Sequence, residues 1–150
     1  MVTFEQYADF LAGSARRAMP EIDVALARVG ALARTMAVEY IGHELPSWPP
    51  LAASTVAQKQ RLGFVGRVSA TDPLLRTGEM RDSIAAEVVP YAVVVGSPLD
   101  KAMWQELGTS RIPPRPFLAL AMQSAAPLSE DAFYDAAVAL LVPLSERGRA

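Results

Sequence analysis

Between Trp48 and Leu118 the chain is interrupted at short intervals by residues that end helices and turn strands. The run opens with Trp48-Pro49-Pro50-Leu51 and passes through Ser54-Thr55, Lys59 and Pro73-Leu74-Leu75-Arg76-Thr77-Gly78. It continues through Val95-Gly96-Ser97 and Glu106-Leu107-Gly108-Thr109 and closes on Pro113-Pro114-Arg115-Pro116-Phe117-Leu118. Proline fixes φ and removes a backbone donor, and glycine reaches left-handed conformations without a steric penalty. These pieces therefore set turns, helix ends and a hairpin, and none is a catalytic constellation.

On the amino-terminal side of this run the pattern is helical. Phe4, Tyr7 and Leu11 sit at helical spacing, Gly13-Ser14 loosens it, and Pro20 restarts a helix with Glu21 and Asp23 at its positive end. Ile22, Leu26, Val29, Ala33, Met36 and Tyr40 then recur three and four apart on one face. Pro46 disfavours helix before it, so the helix is predicted to end near Glu44. The stripe reads as a core or subunit-packing face.

Inside the punctuated run, Leu45 to Ala53 is a loop anchored by Trp48, and Ser54 or Thr55 can cap a short helix to Leu62 with Gly63 at its end. Residues 63–72 read as a flexible loop. Thr77 can cap a helical turn through Arg81 or Asp82. Ile84, Ala86 and Val88 alternate with polar or small residues, and Ala92 to Val95 forms a second β-rich run after Pro90-Tyr91, ending at Gly96-Ser97. A helix is predicted over Asp100 to Leu107 with Gly108 as its stop, an extended arm over Arg111 to Arg115, a helix opened by Pro116, and a last amphipathic helix after Ser129. The predicted fold is α+β: a small antiparallel sheet, a hairpin at about residues 84–96, framed by a long N-terminal amphipathic helix and C-terminal helices. Its 150 residues suit a single domain spanning 1–150. A two-stranded ribbon is marginal alone, so it needs cover from helices or from strands of neighbouring subunits.

Composition excludes several chemistries. With 51% hydrophobic and 20% charged residues the chain is globular, and the absence of cysteine removes disulfides and thiolate nucleophiles. A net charge of −2 predicts no general attraction to nucleic acid or anionic membranes. The start, MVTFEQYADF, lacks the pattern of a signal peptide, and no apolar run approaches the roughly 18 residues of a membrane span. His43 is the only histidine and has no metal-ligand spacing around it. No serine lies in a nucleophile-elbow pattern, and the glycines of GFVGR match no phosphate loop. Glu79 with Asp82, and Glu130 with Asp131, read as first-turn helix charges. No cofactor or metal is expected. Lys59, Arg61, Arg67, Arg76 and Arg81 cluster mid-chain, but only Phe64 among them offers a stacking ring, so sequence-specific nucleic-acid readout is not expected.

Five pieces, WPPLAASTVAQK, DPLLRTGEMRDSI, VVVGS, ELGTSRIP and PPRPFLALAM, stand in that order over roughly residues 48 to 122. In this order they resemble the tail-completion and neck proteins of tailed bacteriophages, namely the HK97 gp10-like tail component family and the related phage virion morphogenesis family. The chain departs from that pattern at Lys101-Ala102, where members often carry an aromatic-alanine pair, and in its short hairpin with Pro90-Tyr91 at the bend. The resemblance implies a non-enzymatic virion part, a tail completion or terminator or head–tail joining protein. It would form a homo-oligomeric ring, a hexamer among the candidate sizes, in the neck or tail after assembly in the host cytoplasm. Implied partners are other copies of the chain and neighbouring connector and tail-tube proteins. DNA would pass through transiently, and no membrane is involved.

Trp48, Leu74, Leu75, Trp104, Pro116 and Phe117 are candidate packing or interface anchors. Arg76 and Arg115 are candidate clamps, because a guanidinium engages carboxylates in a two-bond fork. The competing reading is that all eight stabilise the monomer. Two other functions stand beside the assembly part: a small hydrolase using His43, and a DNA-contacting adaptor using Arg61, Arg67, Arg76 and Arg81.

Overall fold

A computed structural model describes residues 3–63 and 69–141. Its spine is α1, Phe4–Tyr40, a helix of 37 residues and therefore about 55 Å long. Thr3 and Gln6 form a capping box: Thr3 Oγ1 accepts from the Gln6 amide at 3.2 Å, and Gln6 Oε1 accepts from the Thr3 amide at 3.0 Å. The helix thus starts far upstream of Pro20 and runs through both Gly13-Ser14 and Pro20, contrary to the restart read from the sequence. Pro20 is exposed, so the intrahelical bond it forfeits lies on the solvent side, where water can replace it. The helix also ends earlier than Glu44. Ile41 is extended, and Gly42 takes a φ of 96° and donates its amide to the Pro73 carbonyl at 3.0 Å. That tertiary bond, more than the distant Pro46, stops the helix.

Two helical starts differ from the caps predicted for them. Helix α2, Ala53–Leu62, begins from the Ala52 backbone with no side-chain cap, so Ser54 and Thr55 lie inside its first turn. Helix α3, Glu79–Asp82, begins from Gly78 in a left-handed conformation, which leaves Thr77 outside the helix. The predicted loop at 63–72 falls partly on residues 64–68, outside the described residues.

Strands β1, Ala85–Val89, and β2, Ala92–Gly96, pair antiparallel with Val88 opposite Val93 and Ala86 opposite Val95. Pro90 and Tyr91 make the bend, Tyr91 at a φ of 65°. Ser83 Oγ and Ser97 Oγ meet at 2.7 Å and close the other end of the hairpin. The hairpin lies on α1 at Gly30, where an added Cβ would stand 2.5 Å from Val93 Cγ2. Arg34 Nε donates to the Ile84 carbonyl at 2.8 Å from the same side.

Helix α4, Asp100–Leu107, has the predicted bounds. Helix α5, Leu118–Leu128, begins two residues after Pro116, and α6 covers Glu130–Leu141. Both α5 and α6 pack along α1, with Tyr40 Oη at 3.0 Å from Ser124 Oγ and Arg28 reaching Asp135 at 3.7 Å. The core joins Ala37 of α1 and Ile41 just past its end to Trp48, Leu75, Met80, Ile84, Ala102, Phe117 and Ala121. The architecture is α+β, with the helical frame and hairpin expected from the sequence.

Candidate functional site

The pieces of the punctuated run converge on one side of this core. Phe117 is fully buried at its centre, with Trp48 and Leu75 buried beside it and Leu74 packed against them. Gly108 ends α4 with a φ of 75°, and a Cβ there would lie 2.9 Å from both the Ile112 carbonyl and the Pro114 nitrogen. The next residue, Thr109, closes a tight turn: its amide donates to the Ile112 carbonyl at 2.8 Å, and its hydroxyl accepts from the Arg111 and Ile112 amides. The arm returns along α4, where the Arg115 amide donates to the Gln105 carbonyl at 2.7 Å.

One carboxylate then sets the start of α5. Glu106 Oε2 accepts from the Phe117 and Leu118 amides, each at 2.9 Å, and Oε1 accepts from the Ala119 amide at 2.8 Å. A helix begins with amides that have no intrahelical partner, and a negative charge there is also favoured by the helix dipole. Glu106 therefore explains why α5 opens after Phe117 and leaves Pro116 outside. It also joins two sequence pieces, Glu-Leu-Gly-Thr and Arg-Pro-Phe-Leu, into one unit.

Arg115 joins a third. Its Nη2 donates to the Pro49 carbonyl at 2.9 Å and to the Pro50 carbonyl at 3.3 Å, tying down the proline arm after Trp48. The side chain is only 4% exposed, and its Nε is buried without a partner among the described residues. Burial lowers the Arg115 pKa from its ordinary value.

Beside this clamp lies a groove of about 440 Å³ between α2, residues 72–76 and the arm 111–115. Among the described residues four cations line it, Lys59, Arg76, Arg111 and Arg115, against one carboxylate, Asp72. Lys59 is buried, its ammonium donating to the Asp72 carbonyl at 2.5 Å and to the Ser69 carbonyl at 3.5 Å. Desolvation lowers the Lys59 pKa and the nearby Asp72 charge opposes that shift. The Asp72 carboxylate itself accepts from the Ser69 amide at 2.6 Å. Arg76 and Arg111 are exposed at the rim.

The other candidates fall elsewhere. Trp104 is 46% exposed on α4, and Pro116 is half-buried beside Arg115. His43 is exposed near the end of α1, with Nδ1 at 2.5 Å from the Glu39 carbonyl. It lines neither this groove nor the smaller one of about 310 Å³ around Trp48 and Pro49. Of the arginines in the DNA reading, Arg61 is exposed, Arg76 lines the groove, Arg81 pairs with Asp82 at 3.0 Å, and Arg67 lies outside the described residues. Among the described residues no three His, Asp or Glu side chains gather to hold a metal ion, and no helix is long and apolar enough to cross a membrane.

Comparisons with family models, with curated proteins and with solved structures matched nothing. Glu106 and Lys59 are the two residues whose roles the sequence did not reveal. Glu106 acts on amides 11 to 13 residues away, beyond any local capping pattern, and Lys59 is buried on a helix whose own residues are mostly polar. The one available signal is the order Glu-x-Gly-Thr followed by Arg-Pro-Phe-Leu, two short pieces that only folding brings into contact.

Proposed function

We propose that this protein is a structural part that acts by assembling with copies of itself, in the manner of phage tail-completion and neck rings. The observation that supports this reading is a pair of separate apolar surfaces. Phe4 is 87% exposed and Tyr7, Phe10 and Leu11 lie open near it on the first turns of α1. Far along the fold, Trp104 and Leu107 are exposed on α4. Tyr7 and Ala37, which packs near α4 in the core, are about 45 Å apart along the helix. Contiguous exposed apolar surface marks contact sites, and two unlike patches on one chain suit head-to-tail contacts that close into a ring when the rotation permits. The ordered pieces from Trp48 to Leu118 serve this role as a rigid frame, because Glu106 and Arg115 lock three of them together.

Sedimentation velocity across a wide concentration range, with electron microscopy of the purified protein, tests the proposal. Discrete closed oligomers are expected. A strict monomer at high concentration that is also absent from purified particles would rule it out. Tight, steeply salt-dependent binding to duplex DNA would instead favour the adaptor reading.

A further inference from the structure

We infer that the groove between α2 and the arm 111–115 is a receptor for carboxylates, and that its occupant is an extended acidic segment of a partner protein. The inference goes beyond ring formation and holds for a partner of any assembly state. It starts from a charge imbalance. The chain carries a net charge of −2, yet among the described residues this groove holds four cations against one carboxylate. The ion pairs among the described residues join Arg28 to Asp135, Arg81 to Asp82 and Lys101 to Glu79, and none includes a groove cation. Asp72, the one acid lining it among the described residues, is engaged by the Ser69 amide.

Burial makes the imbalance costly. Lys59 is 5% exposed and Arg115 4% exposed, and both are held by backbone carbonyls; Lys59 has the nearby Asp72 charge, while Arg115 has no ion-pair partner among the described residues. A desolvated cation without a partner charge destabilises a fold, and an arriving carboxylate recovers that energy. The Arg115 Nε, buried and without a partner among the described residues, is a donor still lacking an acceptor. The arrangement has depth: Lys59 and Arg115 are buried, and Arg76 and Arg111 stand exposed at the rim. The rim pair can draw in negative charge, and the guanidinium forks suit carboxylate geometry.

The walls favour peptide over nucleic acid. Leu51, Leu74, Ile112 and Pro113 supply aliphatic surface, and among the described residues no aromatic ring lines the groove for base stacking. A concave space of about 440 Å³ admits a few side chains of an extended segment.

Titration of the full chain with a pentaglutamate peptide tests this, read by the ¹⁵N–¹H cross-peaks of the arginine Nε–H groups. The Arg115 and Arg76 peaks should shift saturably, with a pentaglutamine peptide leaving them in place. An Arg76→Glu/Arg111→Glu variant alters only exposed side chains, so its fold should survive, as circular dichroism would verify. It should weaken peptide binding by at least about tenfold. Absence of a shift at Arg115, or undiminished binding by the variant, overturns the inference. So does tighter competition by an oligodeoxythymidylate, which would assign the groove to nucleic acid. The titration reads out on monomer and ring alike, so its failure is separable from failure of the assembly proposal.

Discussion

At the scale of single residues, a few side chains join segments that local pattern keeps apart. Glu106 is the clearest: its two oxygens satisfy three amides at the start of α5. Glu106→Ala leaves those amides without acceptors and should destabilise the protein by about 2–4 kcal/mol. Glu106→Gln keeps one acceptor oxygen and should cost about half as much; urea unfolding of both variants measures the difference. Lys59 carries a prediction about pH. Its folded pKa lies below the ordinary 10.5 because burial disfavours the charged form. Between the folded and unfolded values the unfolded chain binds the extra proton, so stability contributed at this site rises with pH up to about 10.5. Relative to Lys59→Met, the native protein should therefore gain stability on going from neutral to alkaline pH. A constant difference between the two unfolding curves would refute this. Neither role was legible beforehand, because a glutamate in a helix and a lysine beside other cations both read as solvated surface.

At the scale of elements, more was legible. The span of α4 is read with Gly108 as its stop, and the strands from alternation and from Pro90-Tyr91 between them, because these signals are local and the structure honours them. The misread elements are those whose ends are set from a distance. Gly42 stops α1 through a bond to Pro73, and Pro20 fails to divide it because the capping box at Thr3 and the packed stripe beyond Leu26 hold the helix on both sides. The hairpin's seat on α1 depends on Gly30. Gly30→Ala would gain about 1 kcal/mol of helix propensity, but its Cβ meets the stiff Val93 side chain at 2.5 Å. Net destabilisation of about 1–3 kcal/mol is expected from the overpacking. Adding Val93→Ala should relieve the clash, so a double-mutant cycle should show favourable coupling. Additive effects would mean that the hairpin does not press on Gly30.

At the scale of the whole molecule, the apolar stripe of α1 outruns its cover. From Ala25 to Ala37 it is buried by the hairpin, α5 and α6, while Phe4, Tyr7 and Leu11 continue the same face into solvent. Phe4→Ser/Tyr7→Ser should leave monomer stability within about 0.5 kcal/mol, since exposed side chains contribute little to it. The same variant should abolish concentration-dependent self-association in sedimentation. If association survives unchanged, the first turns of α1 are not a subunit contact. This open face could not be foreseen, because a periodic apolar stripe looks the same whether its cover comes from the same chain or another.

The loop from Glu106 to Phe117 is fastened at both ends by directional bonds across an interval of 11 residues. Ordinary surface loops accept added residues at small entropic cost, because their ends are free to settle. This one behaves as a link of set length: an inserted residue must unhook either the Glu106 carboxylate or the Arg115–Gln105 bond. Its spacing, more than the identity of most residues within it, is what related chains would have to inherit unchanged.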